Sequence, residues 1–327
     1  MRPTRSRLGR WAPRLLAIAV AAATLGYLGA SWYVYDQLSH AEAGCPGENA
    51  IHDPTSFNVD GVDTTPYHMP PPETVTFPSR AEADIAIAAW WEPSLVRPNA
   101  PAIILVHGLN GCRRNSENLL AAGMLHRAGF SVLLIDLRDH GDSTVEDGRY
   151  AGGTDEHRDV LGAYDWLRTR PEPPERVGVL GFSLGAATAM IAFGEEPGLA
   201  AVWEDSGFAD IDQAIRDELA RNGYPTYLAP GGILLGRIVV GDDLAAFSPL
   251  RAVAKADGRP VFITHGSRDE RLSVRYAFEL AAEIWLTGGD VDPWIVAGAG
   301  HTAAADLLPD EYDRRLVAFF IMALGRP

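Results

Sequence analysis

The sequence predicts a doubly wound α/β fold, a mostly parallel sheet with helices on both faces. Three observations carry this expectation. Short, mostly apolar runs recur, bounded by Gly or Pro; stretches of helical length and amphipathic pattern separate them; and this alternation repeats from about residue 100 to the end. A parallel strand is covered on both faces and therefore reads as a continuous apolar run. Strand and helix in regular turn indicate crossover connections rather than a sandwich.

The runs lie at 102–106, 131–135, 177–180, 200–203, 261–264 and 292–296. Helical stretches fill 116–128, 155–169, 184–194, 274–286 and 310–324, with Thr154 the expected cap of the second. Ahead of them, 74–77 and 83–90 alternate apolar and polar residues as two strands joined by a turn would. The stretch 207–247 breaks the rhythm. It is rich in Leu, Ile and Tyr and interrupted by Pro225 and Pro230. A connection that long inside a compact domain is expected to be functional, and a cap over the site is the reading.

A chain of 327 residues, 47% hydrophobic and 22% charged, suffices for one large α/β domain with appendages and argues against wholesale disorder. Net charge is -15, although Arg2, Arg5, Arg7, Arg10 and Arg14 all precede the first acid. The body is thus more acidic still and repels phosphate backbones, which excludes nucleic acid as a partner. With Cys45 and Cys112 as the only cysteines, no zinc-type pair exists, and nothing calls for a metal or cofactor.

Residues 15–35 carry no charge, about the 20 residues a helix needs to cross a hydrocarbon core. Trp11 on one side and Trp32, Tyr33 and Tyr35 on the other suit the two aromatic belts of a bilayer. The expectation is a basic cytoplasmic tail at 1–14, a single transmembrane anchor at 15–35 in the cell membrane, and the rest of the chain outside, as the positive-inside bias directs. The alternative is a secretory signal cleaved near Leu28-Gly29-Ala30, leaving a secreted protein. Either route delivers the two cysteines to an oxidising compartment, free to pair or to remain thiols. Residues 36–72 lack periodicity and contain Pro46, Pro54, Pro66, Pro70, Pro71 and Pro72, so they read as a linker, with the folded domain at 73–327.

Chemistry concentrates at strand ends. Gly181-Phe182-Ser183-Leu184-Gly185 follows the run 177–180 and opens the helix at 184. A strand-to-helix reversal this sharp strains the backbone at Ser183, needs small flanking residues, and holds the hydroxyl above a helix N-terminus. Serine is a poor nucleophile at its free pKa and needs a base. His301 lies between the last run and the last helix, and Asp269 follows the run 261–264, so the chain order is Ser183, Asp269, His301. Asp269 would hold the imidazole tautomer; Asp205, at the end of the run 200–203, is a rival for that role. An oxyanion hole needs two converging amides: that of Leu184 and, from His107-Gly108-Leu109-Asn110-Gly111, that of Leu109. His107 itself reads as a structural prop. In the loop 136–143, Asp136, Asp139, His140 and Asp142 resemble metal ligands by type, but a tight loop sends them to alternating sides. It reads as a hydrogen-bonded support for the site.

On these residues the chain from about 74 to 325 resembles the α/β-hydrolase superfamily, within it the bacterial esterase and serine-aminopeptidase-like group with a short cap. The matching pieces are HGLNG at 107–111, DLRDHGDS at 136–143, GFSLG at 181–185, SRDERLSV at 267–274 and AGAGH at 297–301. The resemblance implies Ser183 as nucleophile, Asp269 as acid, His301 as base, and Leu109 and Leu184 as oxyanion donors. Leu109 departs from relatives, which often carry an aromatic or polar side chain there. The leading expectation is a carboxylesterase-like serine hydrolase acting on small or apolar acyl esters. An aminopeptidase or amidase would use the same triad, with Glu204, Asp210 or Asp212 holding the substrate amine, and so would a thioesterase. A catalytically inactive scaffold anchored at a membrane is the alternative of another class.

Overall fold

The computed structural model describes residues 7–327, the side chains of 7–10 and 48 excepted; Arg2 and Arg5 of the basic tail lie outside the described residues. Eight strands form one sheet: β1 (Glu73–Ser79), β2 (Glu82–Glu92), β3 (Ala102–Val106), β4 (Ser131–Ile135), β5 (Val177–Phe182), β6 (Leu199–Asp205), β7 (Val261–Gly266) and β8 (Trp294–Val296). The helices are α1 (Arg7–Ser39), α2 (Ser116–Arg127), α3 (His157–Arg168), α4 (Leu184–Glu195), α5 (Ile211–Arg221), α6 (Ala229–Leu235), α7 (Pro249–Val253), α8 (Arg275–Leu286), α9 (Ala304–Leu307) and α10 (Pro309–Leu324).

Across the sheet the order is β1-β2-β4-β3-β5-β6-β7-β8. The hairpin β1–β2 is antiparallel and joins β4 antiparallel, whereas β4 to β8 run parallel. β3, β4 and β5 are buried along their whole length, which is why they read as unbroken apolar runs. Their side chains still divide by face. Ala102, Ile104 and Val106 of β3 belong to the core that α3, α4 and α8 cover, and Ile103 and Leu105 to the one that α2 and α10 cover. The chain leaves β3 to build β4 on one side and then crosses to β5 on the other. Above the carboxyl ends of β3 and β5 the order therefore reverses, and open α/β sheets bind ligands at such a crevice.

Three expectations need correction. Thr154 does not cap α3: its hydroxyl is buried without a partner among the described residues. Gly152 and Gly153, at φ 64° and 91°, turn the chain so that the Glu156 carboxylate receives the amides of Ala151 (2.7 Å) and Gly153 (2.9 Å) instead. The apolar helix does not end at 35 but runs to Ser39. Residues 11–26 are exposed, while Ser31, Val34 and Tyr35 are buried against the cap. There Gly231 and Gly236 meet α1 so closely that a Cβ would fall 2.3 Å from Ser31 Oγ and 2.6 Å from the Tyr35 ring. Finally, 36–72 is packed rather than loose. Phe57, Tyr67 and Met69 are buried in the α2–α10 core, and Cys45 forms a disulfide with Cys112 at a Cα–Cα distance of 5.5 Å. The cap itself, 207–247, is helical, built from α5, α6 and shorter turns.

Candidate active site

β5 ends at Phe182, and Ser183 turns the chain into α4 at φ 54°, ψ -118°. For a residue with a Cβ this left-handed geometry costs on the order of 1–3 kcal/mol and persists only where the surroundings enforce it. Two glycines do so. A Cβ at Gly181 would lie 2.1 Å from Gly185 O, and one at Gly185 would lie 2.3 Å from both Val106 O and His107 O. The elbow is thus pressed against the end of β3, and only hydrogen fits.

His301 follows β8 and is brought to Ser183: its Nε2 stands 2.8 Å from Ser183 Oγ, and its Nδ1 2.7 Å from Asp269 Oδ2. Asp269 Oδ1 accepts the amides of Arg271 and Leu272, each at 2.9 Å. Burial of the Asp269 carboxyl works to raise its pKa, but hydrogen bonds from His265 and His301 outweigh this and hold it well below the usual carboxylate range. Being ionised, it accepts the proton on Nδ1, which leaves the Nε2 lone pair to receive the serine hydroxyl. The side chain of Asp269 is 0% exposed and that of His301 22%, so only the histidine faces the cleft.

Asp205, the rival acid, is not brought to His301 by a hydrogen bond. Its two oxygens accept Tyr312 Oη at 2.8 Å and Ser206 Oγ at 2.9 Å, and burial pushes its carboxyl up to about 6. Leu109 and Leu184 line one cavity of about 70 Å³ with Ser183. The Leu184 amide opens α4 and has no intrahelical acceptor to find, and the Leu109 amide donates to no backbone acceptor among the described residues.

His107 props the loop. Its Nδ1 donates to Gly108 O at 2.7 Å, its Nε2 accepts the Leu137 amide at 3.0 Å, and burial holds its pKa down at about 3, so it stays neutral. The loop 136–143 braces it from below. Asp136 accepts the Arg113 amide, the Arg113 guanidinium and the Asp142 amide, and Asp139 Oδ1 accepts the amides of residues 146–148. Each of the three acids considered as an amine clamp already has a partner within the protein. Glu204 is buried and accepts the Gly207 amide, Asp210 caps α5 through Gln213 N, and Asp212 pairs with Arg216 at 2.7 Å.

Several residues escaped the sequence reading. His265 Nε2 lies 3.2 Å from Asp269 Oδ2 and 3.0 Å from Leu272 O, backing the acid from behind. Burial opposes its charge, but Asp269 and Glu204 more than offset this and raise its pKa; burial pushes Glu204 in turn up to about 7. The signal available was the spacing of His265 and Asp269, four residues apart at one strand end. The cavity wall also takes Leu38 from α1, Tyr150, Phe208, Ile211 and, as its charged groups, Glu218 and Arg271. Nothing local marks Leu38 as part of a site.

A family model described as the alpha/beta hydrolase fold matches residues 101–221. The human protein ABHD12B is 25% identical over 246 residues, 67% of this chain and 64% of that protein. The mouse sn-1-specific diacylglycerol lipase ABHD11 is 36% identical over 98 residues, 30% of this chain and 29% of the relative. The chain thus spans less than two thirds of the length of these relatives. The Pyrococcus furiosus esterase Pf2001 is similar in structure with a TM-score of 0.64 and 22% identity, covering 83% of this chain and 99% of that one. Est1E of Butyrivibrio proteoclasticus, with ferulic acid bound, gives a TM-score of 0.57 and 17% identity, covering 74% of this chain and 96% of that one. By its sheet order, its match over 101–221 and these likenesses of structure, the chain has the α/β-hydrolase fold.

Proposed function

We propose that the chain is a serine hydrolase that cleaves carboxylic esters of small or apolar acyl groups through an acyl-serine, held at the membrane by α1 with its catalytic domain outside the cytoplasm. The hydrogen-bonded line Asp269–His301–Ser183 at the floor of the cleft carries this reading. Ser183 Oγ attacks the ester carbonyl as His301 Nε2 takes its proton. The Leu109 and Leu184 amides receive the oxyanion, each donor of this kind being worth about 10²–10³ in kcat. His301 returns the proton to the departing alcohol, and water then frees the acid by the same steps in reverse.

The ester preference rests on the apolar wall of Leu109, Phe208, Ile211 and Ala214, and on the partners that already hold the nearby acids: Glu204, Asp210 and Asp212 as above, and Glu218 of the cavity wall paired with Arg221. Of the relatives, the mouse lipase and the Pyrococcus esterase carry names that accord with ester cleavage. The helix Trp11–Ser39 is long and apolar enough to cross a membrane, which supports the anchor. The full chain in detergent is expected to label with a fluorophosphonate probe, and Ser183→Ala to abolish labelling. Labelling that survives the substitution refutes the nucleophile, and an unlabelled wild type favours an inactive scaffold. Aryl esters assayed beside aminoacyl anilides and acyl thioesters report the preferred bond.

A further inference from the structure

The cavity beside Ser183 does not end at the cap. A second cavity lies against it, about 40 Å³ at its enclosed centre and about 430 Å³ with its open mouth included, walled by Ser31, Val34 and Tyr35 of α1 and by Leu228, Ala229 and Ile233 of the cap. Leu38, Tyr150, Ile211 and Ile215 belong to the linings of both. One set of side chains thus separates the serine from an apolar space, and one of that set is a residue of the N-terminal helix. The end of α1 is held in place from several sides. Arg149 donates to Ser39 Oγ and Asp36, each at 2.6 Å, and Glu42 N donates to Asn110 Oδ1 of the loop carrying Leu109 at 3.0 Å.

We propose that this second cavity takes the acyl chain of the substrate, so that α1 is a wall of the binding site as well as an anchor, and that the preferred acid is a linear aliphatic chain of medium length. The proposal rests on the serine-esterase reading and adds to it the substrate class. The carbonyl sits at Ser183, the first methylenes pass between Leu38 and Ile215 as these shared side chains turn aside, and the tail runs between α1 and α6. From Leu38 back to Ser31 the helix covers about 10 Å at 1.5 Å per residue. An extended chain advances roughly 1.2 Å per bond, a third of a residue's span, so about eight carbons cover that distance. The lining is apolar apart from the hydroxyls of Ser31, Tyr35, Ser39 and Tyr150, and it holds no charged side chain, so a charged acyl group would be stripped of water on entry with no counter-ion to meet it. The tail also points along α1 toward residues 11–26, the exposed apolar stretch, so a chain drawn from a bilayer arrives from the side on which the helix leaves the domain.

The test uses the full-length protein in detergent micelles with p-nitrophenyl esters from acetyl to hexadecanoyl. In the wild type, kcat/KM is expected to rise about threefold per added methylene, somewhat under the fourfold that 0.8 kcal/mol of burial corresponds to, and to peak near eight to ten carbons. Ala229→Leu fills the second cavity and should lower the octanoyl-to-acetyl ratio at least tenfold. Val34→Ala enlarges it and should move the peak toward longer chains. Opposite shifts from opposite changes of volume support the proposal, and where one variant fails to label, the expected shift in the other, labelled variant supports it and an unchanged profile there overturns it. Fluorophosphonate labelling runs alongside each variant. Labelled variants that both keep the wild-type profile overturn the acyl-chain site and leave the esterase standing. A wild type that neither labels nor turns over any ester overturns both.

Discussion

Replacing Asp269 by asparagine tests the site where its geometry is most explicit. Asp269 Oδ1 receives two backbone amides, Arg271 N and Leu272 N, each at 2.9 Å. These are donors that cannot reverse, so the carbonyl oxygen of the introduced side chain must take that place. The new NH₂ then occupies the position of Oδ2, 2.7 Å from His301 Nδ1 and 3.2 Å from His265 Nε2. A donor at that point forces Nδ1 to accept and moves the imidazole proton to Nε2, where it faces Ser183 Oγ at 2.8 Å. The base is then blocked by its own proton. The expected loss in kcat is about 10⁴, the scale seen when the acid of a serine-protease triad is so replaced, or about 5 kcal/mol of barrier. Asp205→Asn is the comparison, because Asp205 serves Tyr312 and Ser206; its loss should stay under about tenfold. Both variants are assayed on an aryl ester at pH 7 after circular dichroism verifies folding. A loss below tenfold for Asp269→Asn, or a larger loss for Asp205→Asn, refutes the assignment of the acid.

Other outcomes follow from the same structure. Glu92, ending β2, is 2% exposed with Oε1 unpartnered among the described residues, and burial pushes its carboxyl from 4.5 up to about 7. The folded state therefore holds this proton more tightly than the unfolded chain, and stability falls as pH climbs from about 4.5 to 7, by about 3 kcal/mol. Glu92→Gln should melt higher than wild type at pH 8 and no higher at pH 4.5; a variant that is less stable at pH 8 contradicts this. Reducing Cys45–Cys112 opens a loop with a sequence separation of 67, which chain entropy values at about 4 kcal/mol. A denaturant midpoint unmoved by dithiothreitol would count against the bond. Gly185→Ala drives a Cβ to 2.3 Å from two carbonyl oxygens and should cost about 3 kcal/mol and most of the fluorophosphonate labelling. A stable, fully labelled variant would mean that the elbow has room.

Much of this protein is legible in the sequence because its determinants are local. The parallel strands buried on both faces announce themselves as apolar runs: 102–106 and 131–135 coincide with β3 and β4, and 177–180 and 200–203 fall inside β5 and β6. Ser183 is marked by the glycines its turn requires, and Asp269 and His301 by their places after β7 and β8. These are facts of one turn or one strand, where periodicity and backbone preference suffice. Tertiary packing decided the rest. Chain order favours Asp269 but leaves Asp205 as a rival, and it is the Tyr312 hydroxyl, 107 residues from Asp205, that engages the rival in the folded protein. Residues 36–72 look like a linker because Phe57, Tyr67 and Met69 follow no period, and their burial depends on a surface that α2 and α10 make only after folding. Leu38 joins the site for the same reason. A cavity is shared by whatever surfaces the sheet order and helix packing bring together, and no pattern within a helix records the neighbour it will meet.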